Sequence, residues 1–299
     1  MALKLFKLLF LFLIFAFPLS GQHNVVFSEP DYNVSFSIDW VRGELLTHIS
    51  FNLSDAGIRL PGGRFLGEEL LREAYPSLLR SSVFSIRYDS GSAIRDLYGR
   101  GSISLRELDN LSLMSERSSP NLSGDLRYMM ESYTLSLESI SSYFLPHRRA
   151  MEAPIPLIPV STIAYSGIII IANEALPVHG RLGSALVVPG LFPKIWDSNM
   201  NLVYDRNMFE AGLNNNYLMA RYSAMNNILH PNPSGLEGDL ATFLGPNPLY
   251  IFAHGTFGIS PTDLIIDSDD ALRILSSENN RQLLREGRVL IILDESVLY

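Results

Sequence analysis

The sequence predicts a mixed α/β protein built from two small α/β domains, and three observations lead to that fold class. Apolar and polar residues alternate over residues 32–53, which is typical of half-buried strands. The run at residues 165–172 is short, continuous and β-branched, which is typical of a strand buried on both faces. The composition is that of a globular protein, since 47% of the 299 residues are hydrophobic and 18% are charged. Disordered, collagen-like and disulfide-stapled chains are thereby excluded.

The first 21 residues have the organisation of a secretory signal peptide. Lys4 and Lys7 precede an uncharged apolar run at residues 8–17, and Pro18 and small residues follow. A membrane-spanning helix needs about 20 apolar residues, so cleavage is favoured over an uncleaved anchor. We therefore expect a periplasmic or secreted protein that meets a membrane only peripherally or through an uncleaved signal segment.

Charge and cysteine content exclude several partners and cofactors. The chain carries a formal net charge of −8, and residues 22–299 carry −10 because residues 1–21 contain two lysines and no acidic residue. Nucleic-acid binding needs a basic face, so no nucleic-acid partner is expected. The chain has no cysteine, which excludes iron–sulfur clusters and thiolate zinc sites.

Residues 22–145 are interpreted as an N-terminal α/β domain. The two alternating stretches within residues 32–53 predict a β-hairpin. Apolar residues at helical spacing predict a helix over residues 64–80, with Pro76 as the point where it bends. Residues 83–88 and 130–138 are predicted strands.

Residues 146–164 are interpreted as a linker between the domains. Pro154, Pro156 and Pro159 fall within six residues of each other. Proline lacks a backbone N–H and clashes in a helix interior, so this stretch is expected to be extended, with polyproline geometry.

Residues 165–299 are interpreted as a C-terminal α/β domain. Residues 165–172 predict its central strand, residues 193–204 a hairpin, and residues 208–229 a helix weakened by glycine and asparagines. The end of the chain predicts a right-handed β-α-β unit, with a strand at residues 249–253, a helix through residues 268–285 and a strand at residues 289–293. Gly287 is placed where a helix C-cap glycine belongs.

Two histidines are the best candidates for chemistry. His179 and His254 each follow an apolar segment and precede a glycine, so each is placed to line a cleft. However, no pair among the six histidines has the close spacing of ligands on one strand or helix face. The serine nucleophile elbow and the glycine-rich phosphate loops are missing as well. Hydrogen-bonded loop histidines are the simpler interpretation, and no catalytic residue, cofactor or metal site is assigned.

The acidic residues near the C-terminus do not have the pattern of a calcium loop. Asp263, Asp267, Asp269 and Asp270 lack the alternating ligands and the glycine-assisted bend that such a loop needs. Asp269 and Asp270 instead complement the N-terminus of the predicted helix dipole.

Large apolar residues in segments that resemble loops or weak helix form a candidate interaction surface. The alternative is that they cover the C-terminal sheet as ordinary core. The residues assigned to this surface are Leu191, Phe192, Trp196, Phe209, Tyr217 and Tyr222.

Four segments of the C-terminal half, in their order, resemble a known group of proteins: residues 165–172, residues 193–204, residues 263–275 and residues 284–294. They are similar to the secreted flagellum-associated lipoprotein family of the flagellar basal disc, and closer still to uncharacterised secreted spirochaetal proteins. The resemblance implies a non-enzymatic envelope component that multimerises around, or supports, an envelope machine. This chain has Gln22 where the lipidated cysteine would stand, and Ile171 and Asn173 where that family often has charged residues.

The sequence therefore predicts a non-enzymatic exported envelope protein that acts through protein–protein association beside the flagellar apparatus. Its expected partners are envelope proteins or further copies of itself. The alternative is a periplasmic hydrolase or small-ligand-binding protein that uses the region of His179 and His254.

Overall fold

The N-terminal half is an antiparallel sheet packed against a long helix. The structure is a computed structural model that describes residues 31–145, 149–229 and 236–299; the predicted signal peptide lies outside these residues. The strands of this half are Tyr32–Asp39 (β1), Glu44–Asn52 (β2), Arg87–Asp89 (β3), Ser92–Ala93 (β4), Glu116–Arg117 (β5), Asn121–Leu122 (β6) and Tyr128–Ser136 (β7), and its helices are Arg64–Ser85 (α1), Ile94–Gly99 (α2), Leu105–Ser112 (α3) and Leu137–Tyr143 (α4). The sheet order is β1-β2-β7-β5, β6 also pairs with β7, and β3 and β4 form a separate small pair.

Buried and more exposed side chains alternate along β2, and the buried ones face helix α1. Leu45, Ile49 and Phe51 are buried, and α1 contributes Leu71 and Leu79 to the same core. The predicted hairpin is confirmed, with β1 and β2 in antiparallel register. The strand predicted for residues 130–138 is present as β7, but it ends at Ser136, and the last two predicted residues begin α4.

The predicted helix continues beyond its expected end. It runs through Pro76 to Ser85, so the strand predicted at residues 83–88 is wrong over its first half. Val83 lies four residues after Leu79 and is buried with it, which places both on the core-facing stripe of the helix. Only Arg87–Asp89 adopts strand conformation.

The C-terminal half contains two four-stranded sheets. Its strands are Ile168–Ala172 (β8), Leu176–Pro177 (β9), Ser184–Ala185 (β10), Ile195–Asp197 (β11), Leu202–Tyr204 (β12), Arg221–Ala224 (β13), Leu249–Phe252 (β14), Gly255–Phe257 (β15), Asp263–Ile266 (β16) and Val289–Leu293 (β17), and its helices are Asn226–Leu229 (α5), Leu236–Leu244 (α6), Ser268–Leu275 (α7) and Glu278–Arg285 (α8), with 3₁₀ turns at Arg206–Met208, Leu213–Asn215 and Glu295–Val297. One sheet is parallel, with the order β13-β17-β8-β14. The other has the order β12-β11-β16-β15.

The central strand and the hairpin of this half are confirmed. β8 pairs with β17 on one side and β14 on the other, and Ile168, Ile169 and Ile170 are almost completely buried. β11 and β12 form the antiparallel hairpin. The two faces of the parallel sheet belong to different apolar clusters: Ile168 and Ile170 lie in the main core, whereas Ile169 packs in a second cluster with α6.

The helix predicted at residues 208–229 is wrong except at its end, where Asn226–Leu229 forms α5. The chain forms 3₁₀ turns and then the edge strand β13, which pairs with β17. Gly212 and Asn214 have positive φ angles, which end any helix there. The predicted helix at residues 268–285 is in fact two helices, α7 and α8, and the strands β15 and β16 stand between β14 and α7.

The two halves share one apolar core. The rings of Tyr88 and Phe192 are 4.9 Å apart, and those of Trp40 and Tyr222 are 5.7 Å apart. The Trp40 backbone N–H also donates to the carbonyl of Leu298 at 3.0 Å. Each of these contacts joins a residue of the N-terminal half to one of the C-terminal half. Among the described residues, no helix combines the length and the apolar character needed to span a bilayer.

Candidate interaction surface

Residues 151–165, which we call the strap, cross the surface without helix or strand. No charged residue occurs from residue 153 to residue 165. The backbone N–H of Met151 donates to the Asn207 carbonyl at 2.7 Å, and the N–H of Val160 donates to Ser276 Oγ at 3.0 Å. Within the described part of the chain, residues 154–159 make no hydrogen bond. The strap is therefore held at separate points and is open to solvent between them.

Asn280, near the start of α8, holds the second end of the strap. Its Oδ1 accepts from the backbone N–H of Tyr165 at 3.0 Å, and its Nδ2 donates to the carbonyls of Ile163 and Arg273, each at 3.0 Å. The side chain is buried, and its hydrogen bonds satisfy backbone groups that would otherwise lose contact with water. The corner between α7 and α8 thus positions the strap.

The aliphatic side chains in the middle of the strap are exposed to solvent, whereas Ala153 and Tyr165 at its two ends contact the main core. Leu157 is 101% exposed and Ile158 is 82% exposed, and the backbone bends at these two residues. Ile155 and Ile163 are mostly exposed as well. Concentrated exposed aliphatic surface is unusual on a soluble protein and marks interaction sites.

A pair of aromatic side chains is exposed on β14, an edge strand of the parallel sheet. Tyr250 is 54% exposed and Phe252 is 64% exposed. They are two residues apart on one strand, so they share a face. β14 is in register with β8, with Tyr250 opposite Ile169 and Phe252 opposite Ile171. The pair therefore lies on the α6 side of the sheet, and residues 240–253 carry no charge.

The structure corrects the interaction surface predicted from the sequence. Leu191, Phe192, Phe209 and Tyr222 are buried, so the alternative, that they are ordinary core, is right for these four. Leu191 and Phe192 pack at the junction of the halves, where their N–H groups donate to the carbonyls of Arg87 and Tyr88. Sequence reasoning had no signal for this junction, because it joins segments about a hundred residues apart.

The two remaining residues of that predicted surface, Trp196 and Tyr217, differ in how far they are exposed. Trp196 is half-buried, and its Nε1–H donates to Asp263 Oδ2 at 3.1 Å. Tyr217 is 38% exposed. The strap, which the sequence analysis interpreted only as a linker, carries the larger exposed apolar surface.

Asp263, the first of the four acidic residues that lack a calcium-loop pattern, is a buried carboxylate. Its Oδ2 accepts from Ser90 Oγ at 2.9 Å, and its Oδ1 accepts from the backbone N–H of Lys194 at 3.1 Å. Burial raises the pKa of this carboxyl above its ordinary value, and hydrogen bonds from Trp196, Lys194 and Ser90 partly offset that rise. Because Ser90 belongs to the N-terminal half, Asp263 joins the two halves. Asp269 and Asp270 do lie in the first turn of α7, as expected.

His179 and His254 lie beside β15, and both are exposed. The His179 backbone N–H donates to Thr256, and the His179 ring lies 6.1 Å from the ring of Phe257. His254 Nε2 is 3.7 Å from Asp267 Oδ2, and both of these side chains are more than half exposed. Among the residues the structure describes, no group of three or more histidine and acidic side chains could hold a metal ion.

A groove of about 550 Å³, whose lining surface is polar and apolar in similar measure, crosses the exposed face of the N-terminal sheet. It is lined by hydroxyl and amide side chains such as Ser35, Ser50 and Asn121, and His48 Nδ1 is hydrogen-bonded to Ser132 Oγ at 2.7 Å. Neutral polar groups of this kind can hydrogen-bond a ligand but supply no strong charge.

Two family models match the chain, in the same order as the two halves of the fold. Residues 31–143 match the N-terminal domain of Treponema pallidum Tp0624, and residues 167–295 match the second domain of Tp0624. The chain belongs to this spirochaetal family. The two Tp0624 ranges leave only residues 144–166 unmatched between residues 31 and 295, and the whole strap lies in that interval. No curated protein matches the chain. The spirochaetal part of the resemblance in the sequence is thus confirmed by the Tp0624 matches, and its flagellar part receives no support from them.

Proposed function

We propose that this Tp0624-family protein is a non-enzymatic exported component of the cell envelope that works through protein–protein association. Export to the periplasm is supported by the signal-peptide organisation of residues 1–21. A place beside the flagellar apparatus is a finer part of the proposal, supported by the resemblance of residues 165–294.

The observation that carries the proposal is the exposed aliphatic surface of the strap. Leu157 and Ile158 stand at a bend between Pro156 and Pro159, in a stretch without charge. Each proline fixes its φ angle near −65°, so the segment loses less conformational entropy when it is bound than a flexible loop would. Proline-rich segments of this kind are a recurring protein-recognition mode.

A site-specific cross-link from the strap tests the proposal. The chain has no cysteine, so Leu157→Cys introduces a single thiol to which a photoreactive group can be attached. Leu182→Cys is the matched control, because Leu182 is also a leucine with a fully exposed side chain, at 106%. Envelopes from cells that produce each variant are illuminated, and the conjugates are identified by mass spectrometry.

The expected result is a conjugate from position 157 with a named envelope protein or with a second copy of the chain, and none from position 182. A further substitution, Ile158→Ser, should reduce the yield of that conjugate at least severalfold. The proposal is overturned if positions 157 and 182 give the same conjugates, or if neither gives any.

The hydrolase or ligand-binding alternative depends on His179 and His254. Both rings are exposed, so replacing both by alanine should leave the fold intact. If the double variant lost a ligand-induced thermal stabilisation that the wild-type protein shows, the non-enzymatic proposal would give way to this alternative.

A further inference from the structure

We infer that the strap of one molecule docks on the aromatic pair of β14 in a second copy of the same chain. This inference rests on the proposed function and names the partner. The contact joins different surfaces of the two copies, so it is head-to-tail.

The first argument is chemical complementarity. The strap presents proline and aliphatic side chains, chiefly Ile155, Leu157 and Ile158. Tyr250 and Phe252 present two neighbouring aromatic side chains on one face of an edge strand. Proline-rich segments are characteristically recognised by aromatic-lined surfaces, and both partners of such a contact are present on this one chain.

The second argument is electrostatic. The chain has a formal net charge of −8, so two copies repel each other wherever acidic surfaces approach. The stretches that hold the two patches, residues 153–165 and residues 240–253, contain no charged residue. Close approach of two copies through these stretches therefore avoids burying like charges.

The third argument is position. The strap is held by Ser276 and Asn280 at the corner of α7 and α8, and the buried apolar residues of both helices belong to the main core. Tyr250 and Phe252 point to the other face of the parallel sheet, where Ile169 packs with α6. The end of the strap meets Asn247, just before β14, where Asn247 Nδ2 donates to the Ala164 carbonyl at 3.5 Å. The apolar middle of the strap is anchored on the side of α7 and α8, whereas the aromatic pair faces the α6 side, so the pair is left open to the strap of another molecule. The first molecule's own strap then remains available for a third copy.

Sedimentation of the purified protein over a range of concentrations tests the inference. One variant removes the strap contacts (Leu157→Ser with Ile158→Ser) and another removes the aromatic contacts (Tyr250→Ser with Phe252→Ser). All four side chains are exposed, and circular dichroism checks that each variant is folded. Leu182→Ser with Ile259→Ser, at two exposed positions elsewhere, is the control.

The wild type and the control should rise in average mass with concentration to at least twice the monomer. Each interface variant alone should stay a monomer. Mixed in equal amounts, the two variants should form a dimer and nothing larger, because each still carries one intact half of the contact.

A wild type that stays monomeric overturns the inference, as does an equal mixture that stays monomeric while the wild type assembles. Assembly of the aromatic variant alone would indicate a contact between two straps and would also overturn it. Two further results would overturn it while leaving a role for the strap. In one, a monomeric wild type is cross-linked at position 157 to a different envelope protein, so the proposed function survives. In the other, it binds phosphatidylglycerol vesicles through Leu157 and Ile158, which identifies a membrane surface as the occupant.

Discussion

At the scale of single residues, Asp263 has the most consequential environment. Its carboxylate is fully buried and accepts hydrogen bonds from both halves of the protein. The sequence around it shows only a run of acidic residues before a helix, which is why Asp263 was grouped with Asp267 and Asp269. Asp263 is the first residue of β16, and all four residues of this strand are buried in the core. The acidic pattern of the sequence does not indicate this burial.

The raised pKa of Asp263 predicts a pH dependence of stability. Burial raises the pKa of this carboxyl in the folded protein above the ordinary value of 3.8. The folded state therefore binds more protons than the unfolded state above pH 3.8, and the contribution of Asp263 to the unfolding free energy falls as pH rises through the folded-state pKa.

Urea unfolding at a series of pH values checks this sign. The unfolding free energy of the wild type, minus that of Asp263→Asn, should decrease as pH rises from about 4 and then level off. Asp269→Asn, at an exposed residue of α7, controls for the loss of one negative charge. A difference that stays constant or increases with pH would contradict the prediction.

At the scale of elements, strong local patterns were predictable from the sequence and weak ones were not. The alternation in β1 and β2 and the β-branched run of β8 gave correct strands, because burial on one or both faces of a sheet leaves a direct periodic record. Residues 208–229 lack such a periodic pattern. Part of this segment is a strand because it pairs with β17. Val83 is ambiguous because a β-branched residue at the end of a helix resembles the start of a strand.

Gly287 was predicted as the residue that ends α8, and its φ angle of +66° agrees. A Cβ at this position would lie 2.6 Å from the Leu218 carbonyl oxygen and 2.7 Å from the Phe209 ring. Gly180 also has a positive φ, +76°, but a Cβ there would meet nothing within 4 Å. The two glycines share the conformation and differ in the space around them.

Alanine substitutions separate these two effects. Gly180→Ala should cost about 1 kcal/mol of unfolding free energy, since only the left-handed backbone penalty applies. Gly287→Ala should cost at least about 2 kcal/mol, because the backbone penalty is joined by overlap with buried atoms. Urea unfolding of both variants measures the difference, and equal costs would show that the close approach of Leu218 and Phe209 does not constrain the site.

At the scale of the whole molecule, the sequence predicted two α/β halves but not their junction. In sequence, the exposed strap resembles a flexible linker, because it is rich in proline and lacks charged residues, as linkers often are. What distinguishes it is that the side chains of Ser276 and Asn280, more than a hundred residues later in the chain, accept hydrogen bonds from the backbone N–H groups of Val160 and Tyr165. Likewise, the sequence around Phe192 and Tyr222 is typical of loops or weak helix, which favours exposure. In the structure these two residues are covered by Tyr88 and Trp40 of the N-terminal half.

The shared core predicts that the two halves unfold together. The chain has two tryptophans, Trp40 in the N-terminal half and Trp196 in the C-terminal half, so Trp40→Phe and Trp196→Phe each leave one fluorescent reporter. Contacts across the junction couple the halves: Trp40 packs on Tyr222, and Ser90 bonds Asp263. In urea, the fluorescence transition of each variant should therefore coincide with its far-ultraviolet circular dichroism transition, which reports on both halves. If one tryptophan changed its emission at a clearly lower urea concentration than the loss of secondary structure, the halves would be separate folding units. The burial of Phe192 and Tyr222 would then contribute little to holding them together.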